Sequence, residues 1–262
     1  MDTQTGRALR EKQLGSTLLH YWTNDGKESC IVFLHPAFGD HTCFEEQAEH
    51  FGDHKLIIPD LCGHGKSKDN ERLEKTSLYL HQILEEEGMA AANLVGVGVG
   101  AMLAQDYASR YPEQVLSLVC IGGYPLGREP KVLEQDRQKD WKKAMLYCNL
   151  PKKTFAQRNT KLAAYTTGAQ EKYYQLNLKF PRSSAKALSS IHSMPCVPWQ
   201  DERTYPLFIC VGEYDSPLAI RSARFWSRQE PDSSYVEISG AGRLANMDNP
   251  LECDAAIEMA LR

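Results

Sequence analysis

Asn93-Leu94-Val95-Gly96-Val97-Gly98-Val99-Gly100-Ala101-Met102-Leu103 is the stretch that decides the fold. An apolar, β-prone run ends in three glycines at alternate positions and passes directly into a helix-forming run. A strand that turns sharply into a helix is the repeating joint of α/β architecture. Glycine at Gly98, the centre of the turn, places no side chain there.

The rest of the chain has the same rhythm. Ile31-Val32-Phe33-Leu34, Leu56-Ile57-Ile58, Leu116–Ile121, Leu207–Val211 and Tyr235–Ile238 read as further strands. Continuous apolar runs separated by helical segments indicate a mostly parallel sheet covered on both faces. Helices are expected over 43–51, 72–87, 100–111, 217–229 and 250–261. Asn249 caps the last of these and Pro250 takes its first helical position. Residues 13–22 read as two short antiparallel edge strands. Between 125 and 204 strands vanish and charged and aromatic residues dominate. The expected division is a core of 1–124 and 205–262 with a helical lid over 125–204. Such a lid would lie over the carboxyl ends of the strands, where open α/β sheets bind ligands.

Composition excludes several classes. The chain has 262 residues, 42% hydrophobic and 24% charged, with net charge −4. No basic face calls for nucleic acid, and no apolar run reaches the roughly 20 residues that span a bilayer. Residues 1–7 are polar and lack the apolar core of a signal peptide. The eight cysteines are scattered without C-x-x-C spacing, which reads as reduced thiols in a cytoplasmic protein rather than a disulfide framework. No metal or cofactor signature is present; Asp60, His35, His64 and Asp215 match no zinc spacing.

Four segments, in order, resemble the α/β-hydrolase fold family. Leu34-His35-Pro36-Ala37-Phe38-Gly39-Asp40 is similar to the family's H-G-x loop, with Pro36 in place of glycine. Pro59-Asp60-Leu61-Cys62-Gly63-His64-Gly65-Lys66-Ser67 is similar to its D-x-x-G-x-G-x-S turn. Gly96–Gly100 resembles the G-x-S-x-G nucleophile elbow. Gly212-Glu213-Tyr214-Asp215-Ser216-Pro217, followed by Gly240-Ala241-Gly242-Arg243, resembles the segments carrying the triad acid and base. The resemblance implies that Ala37 and Val99 supply the oxyanion-hole N–H groups. It also implies a triad of Gly98, Asp215 and Arg243, in which only the acid is kept.

Glycine cannot attack a carbonyl. Arginine stays protonated and cannot act as a base. No histidine follows His192, so none can occupy the base position after the last strand. His35 and His64 lie in motif positions that order loops. Cys62, Ser67 and Ser216 are the other nucleophile types near the site; Ser67 belongs to the turn and Ser216 to a helix cap. Arg243 is expected to pair with Asp215, in a contact that is often bidentate, and to hold it ionised.

The expected protein is therefore esterase- or lactonase-like in fold, without acyl-transfer chemistry. It would bind a small ligand, anionic or carbonyl-containing, with a protein partner as a further option. The alternatives are an inactivated or engineered form of a working ester hydrolase, and different chemistry on the same scaffold. His35, Trp141, Tyr165, Tyr173 and Trp199 are the candidate pocket residues.

Overall fold

A computed structural model describes residues 7–67, 72–127, 129–181, 185, 188, 191, 203–230 and 232–261. Eight strands form one sheet in the order β1-β2-β4-β3-β5-β6-β7-β8. They are β1 Arg10–Gln13, β2 His20–Thr23, β3 Glu28–Leu34, β4 His54–Pro59, β5 Ala92–Val97, β6 Val115–Ile121, β7 Leu207–Gly212 and β8 Ser233–Ile238. β1 and β2 are antiparallel, and the pairings from β4 through β8 are parallel. The sheet is the one expected from the apolar runs. Of the expected pair of edge strands, only β1 is at the edge; β2 pairs onward with β4.

The apolar runs are continuous because the sheet is buried on both sides. Alternate residues of one strand enter opposite cores. Val32, Leu34, Leu94, Leu118 and Ile209 pack on one face, against Leu80 and Ile83 of α2 (Thr76–Glu86), Leu103 and Tyr107 of α3 (Val99–Arg110) and Trp226 of α7 (Pro217–Gln229). Ile31, Phe33, Val95, Val119 and Phe208 pack on the other, against Ala48 of α1 (Glu45–His50) and Cys253 and Ile257 of α9 (Pro250–Ala260). Cys30, Cys43, Cys120, Cys210 and Cys253 are buried thiols in these cores, where burial pushes Cys210 up to about 12.

Helix ends follow local chemistry. Ser216 caps α7 by accepting from the Ala219 N–H at 3.2 Å, with Pro217 at the first helical position. Asn249 does the same for α9 through the Glu252 N–H at 3.3 Å.

Between β6 and β7, three helices are described along their length: α4 Lys131–Tyr147, α5 Lys152–Ala163 and α6 Thr167–Lys179. No strand occurs among the described residues between 122 and 206. A single helical turn, α8 Ala245–Asp248, follows β8. Strand order reverses at β3, which pairs with β4 on one side and β5 on the other. The loops leaving β3 and β5 therefore diverge, and a crevice opens between them.

Candidate active site

The crevice holds a cavity of about 120 Å³. Pro36, Ala37 and Phe38 line it from the loop after β3, Gly98 and Val99 from the turn after β5, and Gly122 and Tyr124 from the loop after β6. The inserted helices contribute Arg137, Asp140, Trp141, Ala144, Asn159, Ala163 and Tyr173; Met102 of α3, Ile191, Arg243 and Leu244 complete the wall.

The turn at Gly98 is tight for identifiable reasons. A Cβ at Gly100 would come within 1.9 Å of the Leu34 carbonyl oxygen, and one at Gly96 within 2.4 Å of the Gly100 carbonyl oxygen. These two glycines let α3 pack onto β3 and β5. Gly98 differs. It has φ +56° and ψ −112°, and its N–H donates to the Ile121 carbonyl at 2.8 Å. Yet the nearest atom to a Cβ built there is Pro36 Cβ at 3.8 Å. The backbone is strained for any other residue, but the space above it is open.

The loop after β3 is held from both sides. The His35 ring is buried: Nδ1–H donates to the Pro36 carbonyl at 2.8 Å, and Nε2 accepts from the Leu61 N–H at 2.9 Å. Burial lowers its pKa, so it is a neutral loop brace, outside the cavity lining. His64 is likewise buried and pushed down to about 3. No histidine is among the described residues lining the cavity, and His192 lies outside the described residues. Phe38 has φ +62° and meets Phe155 and Phe180 edge-on, each at 5.1 Å. The Tyr173 hydroxyl, from α6, donates to the Ala37 carbonyl. The inserted helices thus grip the loop that carries Ala37. Asp60 accepts from His41 N–H at 2.8 Å and Lys66 N–H at 2.7 Å, and a Cβ at Gly65 would strike its carboxylate. Asp40, His41 and Asp60 offer three metal-type ligand atoms within 4.8 Å of one another. Asp40, however, caps Thr42, and Asp60 is committed to His41 and Lys66, so the cluster fixes the loop.

Arg243 reaches the cavity across Gly122, where a Cβ would fall 2.9 Å from Arg243 Cγ. Its Nη2 donates to Ser216 Oγ at 3.1 Å and Tyr124 Oη at 3.3 Å, and lies 3.3 Å from Asp215 Oδ1. The guanidinium also sits over the Tyr124 ring, 5.9 Å from its centre. The pair with Asp215 is one long contact, not the bidentate fork expected from the sequence. Asp215 Oδ2 and Arg243 Nε are buried and have no hydrogen-bond partner among the described residues. The Asp215 pKa is raised, not lowered as the pairing with Arg243 led one to expect. Its side chain is fully buried, and this desolvation raises the pKa more than Arg243 lowers it. Tyr124 and then Asp215 hold the guanidinium above its ordinary value.

The loop bearing Arg243 is tied to the inserted helices through one carboxylate. Asp248 accepts from Gly242 N–H at 2.9 Å, Thr166 N–H at 2.7 Å, Thr166 Oγ1 at 2.9 Å and Tyr165 N–H at 3.0 Å. The Leu244 N–H donates to the Ala163 carbonyl at 3.0 Å.

Of the candidate residues, Gly98, Arg243, Ala37, Val99, Trp141 and Tyr173 meet at the cavity, with Asp215 behind Arg243. Tyr165 does not. Its backbone is drawn to Asp248, and its exposed ring stacks on Tyr214 at 4.0 Å. Trp199 lies outside the described residues. Gly122, Tyr124 and Arg137 were not expected. The Ile121-Gly122-Gly123-Tyr124 step after β6 was the signal for the first two, since it repeats the strand-then-glycine pattern of the Gly98 turn.

A sheet with its strand-order switch beside the Gly98 turn, and a wall of helices inserted after β6, defines the class. The chain belongs to the α/β-hydrolase fold family, whose sequence model matches residues 30–250. Lipase 3 of Moraxella sp. is 30% identical over 111 residues, 40% of this chain and 35% of the lipase. The match thus spans about a third of the length of that relative and of a lipase from Psychrobacter immobilis. A 2-succinyl-6-hydroxy-2,4-cyclohexadiene-1-carboxylate synthase of Escherichia coli is 23% identical over 258 residues, 94% of this chain and 99% of that protein. Among solved structures, a thermophilic esterase from Thermogutta terrifontis, malate bound, has a TM-score of 0.78 at 20% identity, covering 96% of this chain and 97% of that one.

Proposed function

We propose that this protein binds a small molecule in the cavity above Gly98 and performs no acyl transfer there. The observation that carries the reading is the pairing of an elbow backbone at Gly98 with a guanidinium at Arg243. The nucleophile position offers only hydrogen, and the base position offers a group that holds its proton at any ordinary pH. What remains is the binding half of a hydrolase site: Ala37 and Val99 beside the α3 N-terminus, a largely apolar wall, and a cation. In serine hydrolases, oxyanion hole and binding without the triad leave about 10³–10⁴ over water. Buried thiols and the lack, among the described residues, of a helix long and apolar enough to cross a membrane fit a cytoplasmic setting.

A fluorophosphonate probe tests this reading. Intact mass after incubation should show no adduct on the unaltered protein. A stoichiometric adduct would overturn the reading.

One observation favours a second reading, in which an ester hydrolase has lost two residues on an otherwise complete frame. The open space above Gly98, 3.8 Å from the nearest atom, would admit a serine.

A further inference from the structure

We propose that the ligand of this cavity is a small monocarboxylate whose body is a single ring or a short apolar chain, with its carboxylate on Arg243. This rests on the ligand-binding reading above and names the ligand class.

Charge comes first. Among the described residues, the charged groups lining the cavity are Arg137, Asp140 and Arg243. Arg137 is already neutralised: its Nε lies 2.7 Å from the carboxylate of Glu129, which is only 3% exposed. Asp140 is exposed. Arg243 is the cation with capacity left. Its three polar contacts all fall on Nη2, and its side chain is 32% exposed. Nη1 makes no hydrogen bond with the described residues and, unlike Nε, is not buried. One guanidinium edge is therefore anchored in the protein and another is free to donate. Guanidinium donors match carboxylate oxygens.

The number of charges follows. Asp215 stands behind Arg243, and Asp140 lines the same cavity. Arg243 shares only one contact with Asp215, at 3.3 Å, and so is partly neutralised, which suits a single further negative charge. A phosphate dianion would add a second charge to the cavity that Asp140 also lines, with no further uncommitted cation among the described residues to meet it.

Size and shape complete the class. Pro36, Phe38, Met102, Trp141, Ile191 and Leu244 give the remaining wall a largely apolar lining, which suits an apolar body. A dry cavity of roughly 150 Å³ holds one benzene ring. The present cavity, about 120 Å³, is of that order, which suits a single ring or a short chain. Gly98 contributes by omission, since any side chain there would occupy the same space.

The test is calorimetric titration with benzoate, benzamide and inorganic phosphate, on the unaltered protein and on the Arg243→Lys, Arg243→Gln and Met102→Trp variants. Thermal melting confirms that each variant is folded. The unaltered protein should bind benzoate saturably, with benzamide and phosphate each at least about tenfold weaker. Arg243→Gln and the cavity-filling Met102→Trp should each weaken benzoate by about tenfold or more, while Arg243→Lys, which keeps the charge beside Asp215, should retain part of the affinity. Benzamide binding as tightly as benzoate would overturn the carboxylate class and leave the ligand-binding reading standing. So would benzoate affinity unchanged in both Arg243 variants. Phosphate binding more tightly than benzoate would overturn the monoanion argument. Binding of none of the three would count against the cavity as a ligand site at all.

Discussion

Arg243 Nη2 and Asp215 Oδ1 stand 3.3 Å apart in a single contact, and the other oxygen of Asp215 is buried with no partner among the described residues. This is a weak seat for a buried carboxylate. Replacing Arg243 with Met would leave the buried Asp215 carboxylate without its cation, with the Ser216 N–H, 2.6 Å from Oδ1, as its remaining partner among the described residues. Breaking a buried pair costs roughly 3–5 kcal/mol, and the low end applies because the guanidinium is a third exposed. The cost depends on pH. Burial raises the folded-state pKa of Asp215 above its unfolded value, so its favourable contribution is full below the unfolded value. That contribution is lost as pH rises through the folded value. Removing Arg243 moves the folded value further up. The stability deficit of Arg243→Met should therefore shrink as pH falls from 8 toward 5, read by thermal melts across pH. Adding Asp215→Asn should flatten that dependence.

The glycines of the elbow have separate jobs, and substitution should separate them. Gly98→Ala meets open space but adopts a left-handed backbone, at about 1–3 kcal/mol, so the protein should fold with a lowered denaturation midpoint. Gly100→Ala drives a Cβ to 1.9 Å from the Leu34 carbonyl oxygen and separates α3 from β3. It should yield little folded protein. Equal denaturation midpoints for the two variants would contradict this division.

Asp248 joins the Arg243 loop to the start of α6. Asp248→Ala should cost about 2–3 kcal/mol, since hydrogen bonds to a charged acceptor are worth roughly 1.5–3 kcal/mol and do not add fully. Hydrogen exchange should rise at the Tyr165, Thr166 and Gly242 amides while the β5 and β6 amides stay protected. A uniform rise across the sheet would show that Asp248 supports global stability only.

The sheet was legible because β3 through β7 are buried on both faces and leave continuous apolar runs. α7 was legible to its ends because Ser216, Pro217 and the break after Gln229 are chemical signals. β1 begins at Arg10, ahead of the expected stretch, because Arg10-Glu11-Lys12-Gln13 is exposed at the sheet edge and carries no apolar pattern. In the site, the positions of Gly98, Ala37 and Val99 followed from local sequence, because one turn fixes them. Tyr165 was misplaced because its direction depends on a carboxylate 83 residues away. Arg137 was missed for the same reason: it lies against the Tyr124 ring, as Arg243 does, at 6.0 and 5.9 Å, through tertiary packing alone. The state of Asp215 turned on whether burial or Arg243 wins, which sequence cannot weigh.

If the frame is a hydrolase site lacking two groups, returning both should return chemistry. Gly98→Ser with Arg243→His should hydrolyse a small aryl ester and take up the fluorophosphonate probe. Each single change should stay near background, because nucleophile and base act as a unit. The Asp215→Asn change should abolish the regained activity. A folded but inert double variant would contradict the inactivated-hydrolase reading and leave the ligand-binding one intact.

The central claim, that the unaltered chain performs no acyl transfer at this cavity, is tested most directly by its steady-state hydrolysis of an aryl acetate. The predicted result is a rate far below the 1–10³ s⁻¹ typical of enzymes, unchanged by Asp215→Asn. A saturable kcat near 1 s⁻¹ or above that falls sharply on Asp215→Asn would contradict it.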